Sequence, residues 1–352
     1  MSRMKTISRW ALMALAGVAA VTLISAQTRK AEGAHSIVRL DPALDQIVAA
    51  DAQFEMLQAD YFGISEGPVW MQQGRTGYLL FSDIGANAIY KWSPDRTLSV
   101  FMEKSGLSGD MAQAGYDGYV YFNGRLNVGT FGSNGIVVDP QGRLIFCAQG
   151  DRAIVRVEKD GKRTVLADRY NGKRLNRPND LALKSDGAIY FTDPRQGNNP
   201  SMELASSAVF LIKDGALKAL IDDYRGPNGV AFSPDEKYLY LTATGKLLMR
   251  YDVQPDDTIS NGRIFIDMND DKAPGNPDGV KVDAQGNVYS TGPGGVWIIS
   301  PEGKHLGTIL LPETGTNMTF GDADGKMLYI TDRKSLGRIQ LKVPGALWKP
   351  AK

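Results

Sequence analysis

Asn276-Pro277-Asp278-Gly279-Val280-Lys281-Val282-Asp283-Ala284-Gln285-Gly286-Asn287-Val288-Tyr289 is the stretch whose reading decides the fold. A polar residue and a glycine lead into Val280 and Val282, which alternate with Lys281 and Asp283. Period-two alternation is that of a β-strand. Asp283-Ala284-Gln285-Gly286 is a turn, and a second strand starts at Val288. The phrase recurs. Ser133-Asn134-Gly135-Ile136-Val137-Val138, Pro178-Asn179-Asp180-Leu181-Ala182-Leu183 and Pro227-Asn228-Gly229-Val230-Ala231-Phe232 each lead to a similar turn and a new strand. Looser copies are Ser65-Glu66-Gly67-Pro68-Val69-Trp70 and Thr316-Asn317-Met318-Thr319-Phe320.

The six lead residues are Glu66, Asn134, Asn179, Asn228, Asp278 and Asn317, separated by 68, 45, 49, 50 and 39 residues. Units of about 40–50 residues, each holding several short strands, signal a β-propeller. The expectation is an all-β, six-bladed propeller over residues 51–345. Gln53-Phe54-Glu55-Met56-Leu57 precedes the first copy with no blade before it. It is expected to complete the sixth blade beside Gly337–Leu341, so that an N-terminal strand closes the ring and removes exposed edges.

The chain has 352 residues, 43% hydrophobic and 22% charged, with a formal net charge of +1. That composition suits a globular core and carries no nucleic-acid footprint. Residues 1–26 read as a secretory signal: Arg3, Lys5 and Arg9 precede an apolar run from Trp10 to Ser25, short for a bilayer span. Its removal takes the net charge from +1 to −2. A periplasmic or secreted location follows, without stable membrane insertion. Residues 27–50 read as a polar, alanine-rich spacer and 346–352 as a tail. Two connections, 102–132 and 194–207, exceed the repeat and are candidates for substrate contacts.

In a propeller the innermost strand of each blade lines a central channel, so the lead residues form a ring. It holds two carboxylates and four carboxamides, oxygen donors suited to a hard divalent cation, Ca²⁺ first and Mg²⁺ second. Asn-Gly and Asp-Gly are also common turn formers. Six copies in register, with glutamate in one, favour the ring. The only cysteine, Cys147, lies in a strand-like run and reads as a buried thiol. With two histidines, His35 and His305, a Ser-His-Asp triad is not supported, and Cys/His zinc spacing and phosphate-binding loops are absent from the sequence.

Ser-Glu-Gly-Pro-Val-Trp at 65–70, Arg-Pro-Asn-Asp at 177–180, Tyr-Phe-Thr-Asp-Pro at 190–194, Gly-Pro-Asn-Gly-Val-Ala-Phe-Ser-Pro-Asp at 226–235 and Asn-Pro-Asp-Gly at 276–279 resemble the gluconolactonase/regucalcin (senescence marker protein) family. The resemblance spans about residues 53–341 and implies one catalytic divalent metal, Ca²⁺ with Mg²⁺, Mn²⁺ or Zn²⁺ as alternatives. It implies Glu66, Asn228 and Asp278 as direct ligands, Asn179 as a direct or water-mediated one, and Asp278 as the catalytic carboxylate. Arg177 matches a substrate-contacting arginine; Asn134 and Asn179 are further candidate substrate contacts. The implied activity is hydrolysis of a sugar lactone, a small-molecule substrate. A phosphotriesterase-like hydrolase and a non-catalytic ligand-binding propeller remain alternatives, because fold alone does not fix function.

Overall fold

The structure is a computed structural model that describes residues 37–109, 120–122, 125–127, 131–195 and 202–346. The expected signal segment, His35, and most of the tail lie outside the described residues, as do parts of both long connections. Among the described residues no helix is long and apolar enough to cross a membrane.

Six antiparallel sheets follow one another along the chain, each beginning with a lead-residue strand on the inside. The inner strands are Ser65–Gln73, Ser133–Val138, Leu181–Leu183, Val230–Phe232, Val280–Val282 and Asn317–Gly321. They define blades 1 to 6. Each of blades 1 to 5 runs outward through three further consecutive strands. Blade 6 instead takes its outermost strand, Glu55–Gln58, from the N-terminal side, paired with Ser335–Gln340 in the register Glu55 to Arg338. That strand starts two residues later than the sequence pattern suggests.

Period-two alternation lets each blade bury both faces. Leu79 and Phe81 pack towards blade 6, with Tyr329 and Leu336; Leu80 faces blade 2, with Ile136 and Phe146. The same division repeats at every boundary, so the core is six apolar clusters between neighbouring blades. Cys147 is fully buried in the cluster between blades 2 and 3.

Residues 37–48, expected to belong to the spacer, do more than connect. Ile37–Arg39 adds a fifth strand to blade 5, pairing with His305–Leu310. A 3-10 turn, Pro42–Gln46, follows, capped by the Asp41 carboxylate on the Ala43 amide. Leu44, Ile47 and Val48 then enter the cluster between blades 5 and 6. Spacing of i, i+3, i+4 puts these three on one face of a helical turn.

The channel end of the fold is tied by hydrogen bonds between neighbouring lead segments. The Ser82 hydroxyl donates to the Asn134 carbonyl (2.8 Å), and that of Thr192 to Asn228 (2.6 Å). Thr242 donates likewise to Asp278 (2.8 Å) and Thr316 to Ser65 (2.7 Å). The amides of Gly135 and Gly279 donate to the carbonyls of Asn179 (2.8 Å) and Thr316 (2.7 Å). Every blade boundary thus carries at least one such bond. Glycine is needed because the chains nearly touch: a Cβ on Gly229 would lie 2.9 Å from the Val280 nitrogen and 3.0 Å from Gly279 Cα, and closer still to the Asp278 carbonyl oxygen.

The hairpin glycines differ. Gly142 has φ +77°, and a side chain added there would point into open space. Gly142→Ala is therefore expected to cost about 1 kcal/mol from left-handed backbone alone. Gly229→Ala must push two blades apart and should cost at least about 2–3 kcal/mol. Chemical denaturation of both variants checks the order; equal losses would show that the close approach at the channel is not a constraint.

Candidate functional site

Each lead residue reaches the channel because the preceding segment is held in place. Asp83 and Asp193, which end second strands after Ser82 and Thr192, accept backbone amides of the segments entering the inner strands. Asp83 takes those of Gly63 (3.1 Å) and Ile64 (3.2 Å), just before Glu66. Asp193 takes those of Asn176 (2.8 Å) and Arg177 (2.7 Å), just before Asn179. A carboxylate that receives two N–H donors fixes a loop as firmly as a strand pairing would.

Three of the expected ligands meet. Glu66 is 3% exposed, and its Oε2 accepts from the Gly67 amide (2.7 Å) and Asn317 Nδ2 (3.1 Å). The Asp278 carboxyl group lies beside the side chains of Glu66 and Asn228, close enough for both to act on its proton affinity. The Asp278 amide donates to Thr291 Oγ1 (2.8 Å), which sets its place on the channel wall. Asn228 Oδ1 is buried without a hydrogen-bond partner among the described residues.

The other expected residues occupy the wall. Asn179 is half-buried and anchored through its backbone, its amide donating to the Thr192 carbonyl (2.8 Å). Asn134 is 2% exposed, and its Oδ1 also has no partner among the described residues. Arg177 is buried between blades 2 and 3; its Nη2 donates to Gln149 Oε1 (3.2 Å), and its guanidinium carbon sits 5.3 Å from the centre of the Phe131 ring.

Two residues at the centre escaped the sequence reading. Asp180, 3% exposed, receives Asn317 Nδ2 on Oδ2 at 3.3 Å. Lys281 places Nζ 3.1 Å from Asn317 Oδ1 and 3.8 Å from Asp180 Oδ2. The alternation around Val280 and Val282 makes Lys281 look like an outward polar residue; here it turns into the channel instead. Asp180 carried a readable signal: it stands where four of the six copies have glycine.

Crowding of carboxylates raises their proton affinity. Glu66 is pushed up to about 7, chiefly by burial and then by the Asp180 charge, against the lowering effect of the Gly67 amide and Asn317. Asp278 keeps partial access to the channel, but burial and then the charges of Glu66 and Asp180 hold its carboxyl well above the usual range. Such paired, displaced carboxylates mark sites that exchange protons or take up a cation.

Among the described residues no three His, Cys, Asp or Glu side chains gather as a metal-holding group. The donor set here is mixed: two carboxylates that meet, Glu66 and Asp278, and the unpartnered carboxamide oxygen of Asn228. An orphaned buried oxygen next to two carboxylates fits a hard divalent cation better than it fits a closed hydrogen-bond network.

Residues 64–334 match the family described as SMP-30/Gluconolactonase/LRE-like region. The chain belongs to this family. It is 32% identical to a gluconolactonase of Zymomonas mobilis, over 98% of this chain and 99% of the relative. It superposes on the structure of a gluconolactonase from Xanthomonas campestris with a TM-score of 0.71 and 34% identity, covering 87% of this chain and 94% of that one. A calcium-binding regucalcin from Agrobacterium tumefaciens shares the fold, with a TM-score of 0.65 at 17% identity and coverage of 85% and 97%. The SMP-30/gluconolactonase membership agrees with the resemblance carried by residues 65–70, 177–180, 190–194, 226–235 and 276–279.

The electrostatics give a stability test. Glu66 and Asp278 hold protons more tightly folded than unfolded, so their contribution is fully present below about pH 4 and is lost as pH rises through the folded values. In chelator-treated protein, Asp278→Asn removes one repelling carboxylate. Its melting temperature should exceed that of the parent at pH 8, and the gap should narrow towards pH 5. A gap that is constant with pH would mean that the carboxylates do not compete.

Proposed function

We propose that this chain hydrolyses a sugar lactone at a single divalent-cation site formed by Glu66, Asn228 and Asp278, with Asn179 as a further direct or water-mediated donor. The observation that carries the reading is the meeting of Glu66 and Asp278 beside the unpartnered Asn228 oxygen, in a chain whose full-length relative is named a gluconolactonase. Ca²⁺ is the first choice of cation, on the hardness of the donors and the calcium binding ascribed to the regucalcin neighbour. When bound, such an ion supplies positive charge that polarises an ester carbonyl and stabilises negative charge on its oxygen.

The chain's own residues do the rest. Asp278 accepts a proton from the attacking water at a carboxylate oxygen. The ester C–O bond to the ring oxygen then breaks, and Asp278 returns the proton to that oxygen, giving the open hydroxy acid. Its raised proton affinity suits the second role, the return of the proton to the ring oxygen. Asn134 presents an unpartnered acceptor for a substrate hydroxyl. Arg177, held by Asp193, Gln149 and Phe131, presents a planar cation for sugar oxygens. Export to the periplasm or outside the cell is part of the proposal and rests on the basic and apolar run of residues 3–25.

Proton release in a pH-stat over a panel of five- and six-membered sugar lactones tests the reaction. Chelator-stripped protein should be inactive and should recover with Ca²⁺ or another divalent ion. Asp278→Asn should lower kcat by about 10²–10⁴-fold at saturating cation. Parental turnover in that variant would remove Asp278 as the base, and tight cation binding without any lactone turnover would sink the lactonase reading.

Cation binding should also carry a pH signature. Ligating carboxylates must shed protons, so below the Glu66 value of about 7 the apparent affinity should weaken by about tenfold per pH unit for each competing proton. Calorimetric titrations at pH 6 and 8, repeated in buffers of different ionisation heat, measure both the affinity and the protons released. Affinity independent of pH over that range would exclude Glu66 as a ligand.

A further inference from the structure

Asn317, the lead residue of blade 6, is 2% exposed, and all four of its side-chain hydrogen-bonding capacities are used. Its Oδ1 accepts from Lys281 Nζ (3.1 Å) and the Met318 amide (2.9 Å). Its Nδ2 donates to Glu66 Oε2 (3.1 Å) and Asp180 Oδ2 (3.3 Å). Chemistry alone fixes which end of the amide points where. An ammonium and an N–H require oxygen on one side; two carboxylate oxygens require the NH₂ on the other. With Gly67 N–H and Asn317 Nδ2 both on Oε2, that Glu66 oxygen has its two lone pairs engaged. The remaining acceptor capacity of Glu66 lies at Oε1.

We infer that Lys281 and Asn317 are positioning residues for the Glu66 arm of the site: Lys281 locks the orientation of the Asn317 amide, and the amide holds Glu66 with one oxygen engaged and the other free to bind. This deepens the cation-site reading and rests on it. Without a donor at residue 281, the Met318 amide alone opposes rotation of the Asn317 side chain. A rotated amide would turn its oxygen onto two carboxylates and release Glu66. Lys281 also lies 3.8 Å from Asp180, a carboxylate that meets no ligand role in the proposed site. Its fixed positive charge offsets Asp180, leaving the charge of Glu66 and Asp278 for one divalent ion.

The donor and the charge separate in a pair of variants. Lys281→Gln and Lys281→Met are both neutral and similar in length, but only glutamine keeps an N–H donor for Asn317. Ca²⁺ binding by isothermal titration calorimetry on the purified protein is the readout, with melting temperature measured alongside. Loss of a partner that orients a ligand costs about 10–100-fold in metal affinity. Lys281→Met should therefore bind Ca²⁺ at least about tenfold more weakly than Lys281→Gln. Lys281→Arg, which keeps charge and donor, should stay nearest the parent. At saturating Ca²⁺ the Met variant should regain lactone turnover with KM unchanged.

Equal affinity in the Gln and Met variants would overturn the inference. If the Met variant does not fold, Asn317→Ala is read in the same titration: a loss of at least about tenfold supports the positioning role, and parental affinity overturns it. A parent protein that binds no divalent ion overturns the cation-site reading itself, and the inference with it. A parent that binds Ca²⁺ while all variants match it overturns only the inference.

Discussion

The hydrogen bonds between lead segments are the constraint on which the channel depends. At each boundary a hydroxyl or a glycine amide from one blade, in blade 6 the hydroxyl of the threonine just before the lead residue, holds a carbonyl of the next blade's lead segment. A buried carbonyl left unpaired would cost on the order of 1–3 kcal/mol. Pairing it across the boundary satisfies the backbone and sets the angular position of each lead side chain together. The bond needs near-contact of two chains, which is why glycine follows the lead residue in four of six copies. One local rule therefore produces the tie between blades and the ring of oxygen donors.

That coupling explains why so much was legible. The turn residues, the period-two strands and the 39–68 residue recurrence are local or simply periodic, so they survive reading without a structure. Glu66, Asn228 and Asp278 could be placed together because equivalent positions in a propeller converge. Arg177 followed from its motif, and its anchoring by Asp193 shows why that motif is accompanied by Thr-Asp at the end of the blade's second strand. The N-terminal segment was not legible for the opposite reason. Ile37–Arg39 has no repeat equivalent, and what makes it a strand is the open edge of blade 5, formed by His305–Leu310 at the other end of the chain. Local pattern cannot report an edge so far away.

Asp180 and Lys281 were missed by a different failure. A register rule points to one position per repeat, and both residues lie off it: Asp180 one after a lead residue, Lys281 three after another. In blades 2 and 4 the position after the lead is glycine, pressed against the neighbouring chain. Blade 3 places a side chain there. Its Cα and Oδ1 fill the space beside Gly135, so the substitution of aspartate for glycine in one blade is accommodated by glycine in the blade before it. The irregularity is local, but its meaning lies in the adjoining repeat.

The two omissions carry opposite charge, and this bears on why the site can exist. Glu66, Asp180 and Asp278 crowd one another enough that burial and mutual repulsion raise the proton affinity of Glu66 and Asp278. Three buried carboxylates without a counter-charge would favour protonation or local opening over a fixed geometry. Lys281 supplies one positive charge on a strand of the same ring, and Asn317 distributes hydrogen bonds among Lys281, Glu66 and Asp180. The pair that the ring pattern identified, Glu66 and Asp278, thus remains the unbalanced part. A divalent ion would complete that balance, whereas a tightly paired network would have no use for one. The mutual repulsion of these two carboxylates is the physical reason to expect binding there and not at the many other aspartates that merely close hairpin turns.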